Sequence, residues 1–132
     1  MKRLLLIFCF ALVCVTAFAN KYKYRAYSCQ YEVLENGVWD ESDYMDNDQL
    51  ILIDFDNNKV KVLGSPAITL DIYEYMDVDE TDNGGMVTGM KAVDQDGDEC
   101  ILYLCMESDG GSLFRIDYAN FKIYYFANLL TD

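Results

Sequence analysis

Gln49–Leu63, QLILIDFDNNKVKVL, reads as a β-hairpin. With Asn57 and Asn58 as a two-residue loop, Asp56 pairs with Lys59, Phe55 with Val60, Asp54 with Lys61 and Ile53 with Val62. One face is then apolar and the other carries two opposite-charge pairs. Sliding the pairing by one residue would expose Phe55 and Ile53 and break both charge pairs, so this register is expected to be strongly specified.

The same grammar extends in both directions. Lys21–Glu35 alternates aromatic and polar residues at both ends and closes on Asn36-Gly37, the preferred pair for a tight type I′ turn, which sets Trp39 opposite Leu34. Asp40–Asp48, DESDYMDND, has no periodic apolar pattern and reads as a loop. Gly64-Ser65-Pro66 turns the chain, and the single proline falls outside any strand. Ala67–Met76 follows as a strand with Ile68, Leu70 and Ile72 inside, Thr69, Asp71, Tyr73 and Tyr75 outside, and Glu74 emerging into solvent.

Further on, Asp77–Gly85 reads as a second acidic loop, and Met86–Asp94 and Cys100–Met106 as strands. A turn at Asp96-Gly97 would set Ala92 against Ile101 and Met90 against Tyr103, but also Asp94 against Glu99. Like charges directly opposite are unfavourable, so either the loop is wider or a cation sits there, and the wider loop needs no extra assumption. A turn at Asp109-Gly110 sets Cys105 against Phe114, Tyr103 against Ile116 and Ile101 against Tyr118. A turn at Ala119-Asn120 sets Tyr118 against Phe121, Ile116 against Ile123 and Phe114 against Tyr125, with Asp117 facing Lys122 outside. These registers agree on one apolar face. They predict an all-β fold: an antiparallel meander of about eight strands, closed as a small up-and-down, lipocalin-like barrel or strongly curved, because closure removes exposed edges. Leu102, Leu104 and Met106 then form a second apolar face that needs a cover: the first strand, the Trp39 segment, or a second copy of the chain in a homodimer.

Composition bounds the setting. Met1–Ala19 has Lys2 and Arg3, an apolar run Leu4–Val15 and the small-x-small site Ala17-Phe18-Ala19, the pattern of a secretory signal peptide, leaving residues 20–132 as one domain. The run is too short to span a membrane, so secretion to the periplasm or the exterior is expected. The chain carries 10 basic and 23 acidic side chains, net −13. Such a charge repels phosphate backbones, which argues against nucleic acid. Of the cysteines beyond the leader, Cys100 and Cys105 stand on opposite faces of one strand and cannot bond to each other. Cys29 pairs with one of them, or all three are buried thiols.

The chain has no histidine, which removes Ser-His-Asp and Cys-His catalysis and His-ligated metals. No glycine-rich phosphate loop opens a helix. The acidic turns offer Asp77, Asp79, Asp82, Asp94, Asp96, Asp98 and Glu99 as candidate ligands for Ca2+, the one cofactor considered. Yet aligning Asp79, Thr81, Asn83 and Gly84 to a calcium loop puts Met90 where a bidentate Glu is needed. Lys21, Lys23 and Arg25 beside Tyr22, Tyr24 and Tyr27 could clasp an acidic partner, but the expectation is a frayed first strand whose charges offset the acidic body. Tyr73, Tyr75 and Tyr124 are the tyrosines expected on the outside.

The succession NGVW, LILIDFDNNKVKV, ITLDIYEY, AVDQDGDECILYL and FRIDYANFKIYYF resembles small exported all-β domains of gut bacteria. The resemblance covers most of the chain beyond the leader and implies a fold and a location, not an activity. Gly37-Val38-Trp39 also matches the GxW of lipocalins, although the Asn-Gly turn explains it. The expectation is a non-enzymatic binding module that presents its outer surface to a protein or glycan. The alternatives are a lipocalin-like carrier of a small apolar ligand and a hydrolase using paired carboxylates.

Overall fold

The first strand runs on until Asn36-Gly37 permits reversal, with one irregularity in its alternation between Ala26 and Ser28. In the computed structural model, which describes residues 21–80, 84–107 and 111–130, β1 runs Lys21–Glu35. It is followed by β2 Val38–Glu41, β3 Met45–Asp46, β4 Leu50–Asp54, β5 Lys59–Val62 and β6 Ile68–Glu80. Then come β7 Met86–Asp94, β8 Glu99–Met106, β9 Gly111–Asp117 and β10 Phe121–Leu129. There is no helix among the described residues, and hence none long and apolar enough to cross a membrane. Met1–Ala19 and Asp82 lie outside the described residues.

Neighbouring strands follow the chain, β4-β5-β6-β7-β8-β9-β10, and β1 joins β4 to β10, which closes an antiparallel barrel of 8 strands with β2 and β3 as additions. β1 achieves this by using both edges. One edge pairs with β10 from Tyr24↔Leu129 to Val33↔Phe121, with an irregularity between Ala26 and Ser28. The other pairs in succession with β4 (Lys21↔Asp54 to Arg25↔Leu50), β3 and β2.

Two turns have the expected register. Asn36 and Gly37 have φ of 52° and 80°, as a type I′ turn requires, and Leu34 faces Trp39. Between β9 and β10, Asp117 faces Lys122, Ile116 faces Ile123 and Phe114 faces Tyr125.

The hairpin Gln49–Leu63 departs from expectation by two residues. Asp54 faces Lys59, Ile53 faces Val60 and Leu52 faces Lys61, so the connection is Phe55–Asn58 rather than Asn57-Asn58. The Asp54 carboxylate causes this. It accepts the Asn57 backbone N–H at 3.2 Å and its side-chain Nδ2 at 2.8 Å, holding a wider loop in which Asn58 (φ 55°) but not Asn57 has positive φ. A two-residue slip preserves parity, so Ile53, Val60 and Val62 remain inside, joined by Ile51.

β8 departs by one residue at each end. Ala92 faces Cys100 and Met90 faces Leu102; Leu104 faces Phe114 and Leu102 faces Ile116. The two slips cancel for β9 and invert β8 itself. Cys100, Leu102 and Leu104 are core, while Ile101, Tyr103 and Cys105 are half-buried outside. Of the face that needed a cover, Leu102 and Leu104 therefore line the interior, while Met106 is exposed at the strand end. The loop is wider than two residues, with the Asp94 N–H donating to the Asp98 carbonyl at 2.9 Å, and Val93 rather than Asp94 lies opposite Glu99.

Strand β6 outruns its expected end. It reaches Glu80, placing Asp77 and Asp79 on an exposed strand rather than in a loop. An irregularity between Ile72 and Glu74 also resets its parity. Glu74 faces Lys91 outside, and Tyr75 faces Met90 and packs against the core, contrary to its expected outward position.

The barrel axis is filled. Tyr125, Phe114, Ile51, Ile53, Leu70, Met90, Leu102, Ile116 and Val60 are each less than 2% exposed, and Tyr24 meets Phe114 edge-on at 4.8 Å between ring centroids. Burying side chains of this size contributes about 1.5–3 kcal/mol each, the main drive to closure. Phe55, Tyr118 and Phe121 pack against this core less completely. Cys29 and Cys100 are buried thiols, Cys105 is half-buried, and none is in a disulfide.

Candidate functional sites on the barrel

Two concavities stand out among the described residues. The first is a mouth of about 730 Å³ at the end carrying the β5–β6, β7–β8 and β9–β10 connections, lined by Ile68, Asp94–Glu99, Tyr118–Phe121 and Ile123. The second is an outer groove of about 390 Å³ across β1, β4 and β5.

One acid of the mouth, Asp94, is committed to holding its loop. Asp94 Oδ1 accepts the backbone N–H of Asp96 and of Asp98 at 2.9 Å each, and its Oδ2 accepts the Tyr118 hydroxyl at 2.9 Å. Partial burial opposes ionisation of Asp94, but these donors outweigh it and hold its carboxyl below the usual aspartate value. Tyr118 is pushed the opposite way, first by burial and then by Asp94, which keeps the donor protonated. Gln95 reaches across the mouth, accepting the Thr69 N–H at 2.9 Å and donating to the Ala67 carbonyl at 3.1 Å. Cys100 beneath is pushed up to about 11, by burial first and then by Asp94, Asp117 and Asp98, which makes it a poor nucleophile.

Of the sequence-predicted cation ligands, Asp94 is thus occupied by protein donors, and Asp96, Asp98 and Glu99 are exposed around the mouth. Asp77 and Asp79 project from β6. Among the described residues, no three acidic or cysteine side chains come together as a metal-ligand set.

The three tyrosines do not share a surface. Tyr73 is exposed, its hydroxyl 3.4 Å from Glu99. Tyr75 turns inward, donates to Asn58 Oδ1 at 2.8 Å and lies beside Phe55. Tyr124 is on β10, which does not neighbour β6, and donates to Glu32; burial first and then Glu32 push it up to about 12.

The outer groove concentrates charge of the opposite sign to the chain. Lys21 and Lys23 of β1, Lys59 and Lys61 of β5, and Leu52 and Asp54 of β4 between them form its walls and floor, with Tyr22, Ile53 and Asn57 completing the lining. Pairing arranges them in two rows, Lys23–Leu52–Lys61 and Lys21–Asp54–Lys59. In the second row charge is compensated: Lys21 Nζ is 4.0 Å from Asp54, and Lys59 Nζ is 2.7 Å from Asp71. In the first row, Lys23 and Lys61 flank an apolar side chain, and neither forms an ion pair among the described residues.

Sequence reasoning found only half of this site. It grouped Lys21, Lys23 and Arg25 with Tyr22, Tyr24 and Tyr27, but Tyr24 is buried and Arg25 is bound to Asp48 at 2.6 Å. It assigned Lys61 to Asp54, whereas the two-residue slip places Lys61 opposite Leu52 and frees it. The matching signal was present in KYK of β1 and KVK of β5, both with lysines on one face.

The architecture defines a closed antiparallel barrel with a filled axis, an acidic mouth and one basic external groove. Comparison with protein-family models, curated proteins and solved structures finds no match.

Proposed function

We propose that this chain is an exported, non-enzymatic binding module that recognises its partner on the outside of the barrel. The observation that carries the reading is the outer groove, where four lysines, out of 10 basic residues in a chain of net charge −13, surround a half-buried leucine. The filled axis supports an outer site over an internal one, since an eight-stranded barrel encloses little more than its own side chains. Export rests on the Met1–Ala19 sequence pattern and the resemblance to exported all-β domains. Asp54 and Asp94 are both held below the usual carboxylate value, the direction of structural acids rather than of a general acid. A second reading, the carrier of a small apolar ligand, is favoured by one observation, the mouth of about 730 Å³ that Ile68, Phe121 and Ile123 help to line.

The test is to present the purified protein to arrayed glycans, peptides and lipid vesicles in three forms: unaltered, Lys23→Glu with Lys61→Glu in the groove, and Ala119→Trp at the mouth. The reading expects ligands that are lost on groove reversal and retained by the mouth variant. Ligands with the reverse dependence, an apolar molecule co-purifying in native mass spectrometry, or no ligand at all would overturn it.

A further inference from the structure

We infer that the outer groove binds a short oligosaccharide bearing carboxylates, such as an oligouronate. The inference rests on the outer-surface reading above and names the ligand class for that site.

Charge and spacing come first. Lys23 and Lys61 lie two strands apart across Leu52, a separation of roughly 10 Å, and the second row follows roughly 7 Å along the strands. Two unpaired ammonium groups on either side of an apolar floor suit two acidic groups joined by a bulky spacer, not one point anion. The volume of about 390 Å³ is that of a site for a molecule of drug size.

The floor and walls select the spacer. Leu52 is half-buried and forms an apolar floor between the two lysines. Beside it lie Asp54 and Asn57, which are bonded to each other and still present the remaining carboxylate lone pairs and the Asn57 Oδ1 as acceptors for hydroxyls inside the same groove. A pyranose ring has this mixed character, with a C–H face for the leucine and hydroxyls for the aspartate and asparagine. A fatty acid has no hydroxyls to donate to these acceptors.

Backbone pairing argues against a peptide. In this region β4 is paired on both edges, by β1 and β5, and β5 by β4 and β6. With no free edge, an extended peptide could not add as a strand and would lose its main-chain hydrogen bonds. Ligand length is limited by the acids beyond the groove: Asp71 already holds Lys59, and a long polyanion would meet the field of a chain of net charge −13.

The experiment is isothermal titration with trigalacturonate, beside its fully methyl-esterified form and triglutamate, at about 50 mM and about 500 mM NaCl. Protein forms are the unaltered chain, Lys23→Gln with Lys61→Gln, and Lys91→Gln on β7 as a control remote from the groove. Lys23 and Lys61 are exposed, and thermal melts verify that each variant folds. Trigalacturonate should bind saturably, weaken at least about tenfold in the groove variant and at high salt, and be unaffected by Lys91→Gln. The ester and triglutamate should bind more weakly. The inference is overturned by no saturable binding up to about 10 mM, by an ester or peptide binding equally well, or by an unchanged groove variant. If arrayed ligands of another class depend on Lys23 and Lys61 while trigalacturonate does not bind, this inference falls and the outer-surface reading stands. If nothing depends on them, both fall.

Discussion

Tyr125 provides the sharpest test of the core. It faces Phe114 on β9 and Cys29 on β1, is 0% exposed, and its hydroxyl has no hydrogen-bond partner among the described residues. A buried hydroxyl without a partner costs about 1–3 kcal/mol of desolvation, whereas its ring contributes like any other aromatic. Tyr125→Phe removes the oxygen and keeps the ring, so the variant should be more stable by about 1–2 kcal/mol. At roughly 4 °C per kcal/mol for a domain of this size, the melting temperature should rise by several degrees. A second signature lies in pH. Burial, followed by Tyr31 and Cys29, raises the Tyr125 pKa above its ordinary value. A raised folded pKa means that the unfolded chain releases this proton first, near pH 10, so the stability tied to it is complete below that value and is lost above it. The advantage of Tyr125→Phe should therefore widen above about pH 10. Urea denaturation at neutral and alkaline pH measures both effects. A variant destabilised by about 1 kcal/mol or more would show that the hydroxyl is satisfied and the reasoning wrong.

Two further perturbations address the end that bears the mouth. Gln49 is 8% exposed, donates to the Leu63 carbonyl at 3.2 Å and the Pro66 carbonyl at 3.0 Å, and accepts Asn47 Nδ2 at 2.8 Å. Gln49→Ala should cost about 1–3 kcal/mol in urea denaturation, and an unchanged midpoint would show that the β5–β6 connection holds without it. Asp94 has a depressed folded pKa, so its contribution is present above the unfolded value near 4 and is lost as pH falls through the folded one. Asp94→Ala should lower stability at neutral pH by about 1–2 kcal/mol and flatten the acid limb below about pH 4; parallel curves for variant and parent would refute the assignment.

What the sequence made legible follows from parity. A two-residue slip is silent: Ile53, Val60 and Val62 reach the core although the loop was read as Asn57-Asn58. A one-residue slip is not silent, and it occurred where the pattern could not forbid it. Strand β8, ECILYLCM, is apolar on both faces, so Ile101, Tyr103 and Cys105 were as good a core as Cys100, Leu102 and Leu104. Side-chain chemistry decided it. The Asp94 carboxylate caps the amides of Asp96 and Asp98, which fixes the loop length and thereby the face of the next strand. The inward turn of Tyr75 has a comparable origin in an irregularity of β6 that alternation does not encode.

The groove was the least legible feature because it depends on the one pairing that turn-by-turn reading does not supply. Local turns join β4 to β5 and β9 to β10, but the partners of β1 at Lys21–Arg25 lie 25 or more positions away, on β4. Closure is what brings β1 beside β4, and only then do KYK and KVK face each other across Leu52. The same closure gives the groove its frame, since its lysines project from paired strands rather than from a loop. The register slip and the candidate site are therefore one fact: had Asn57-Asn58 been the loop, Asp54 would have neutralised Lys61, and the outer face would hold no pair of unmatched cations.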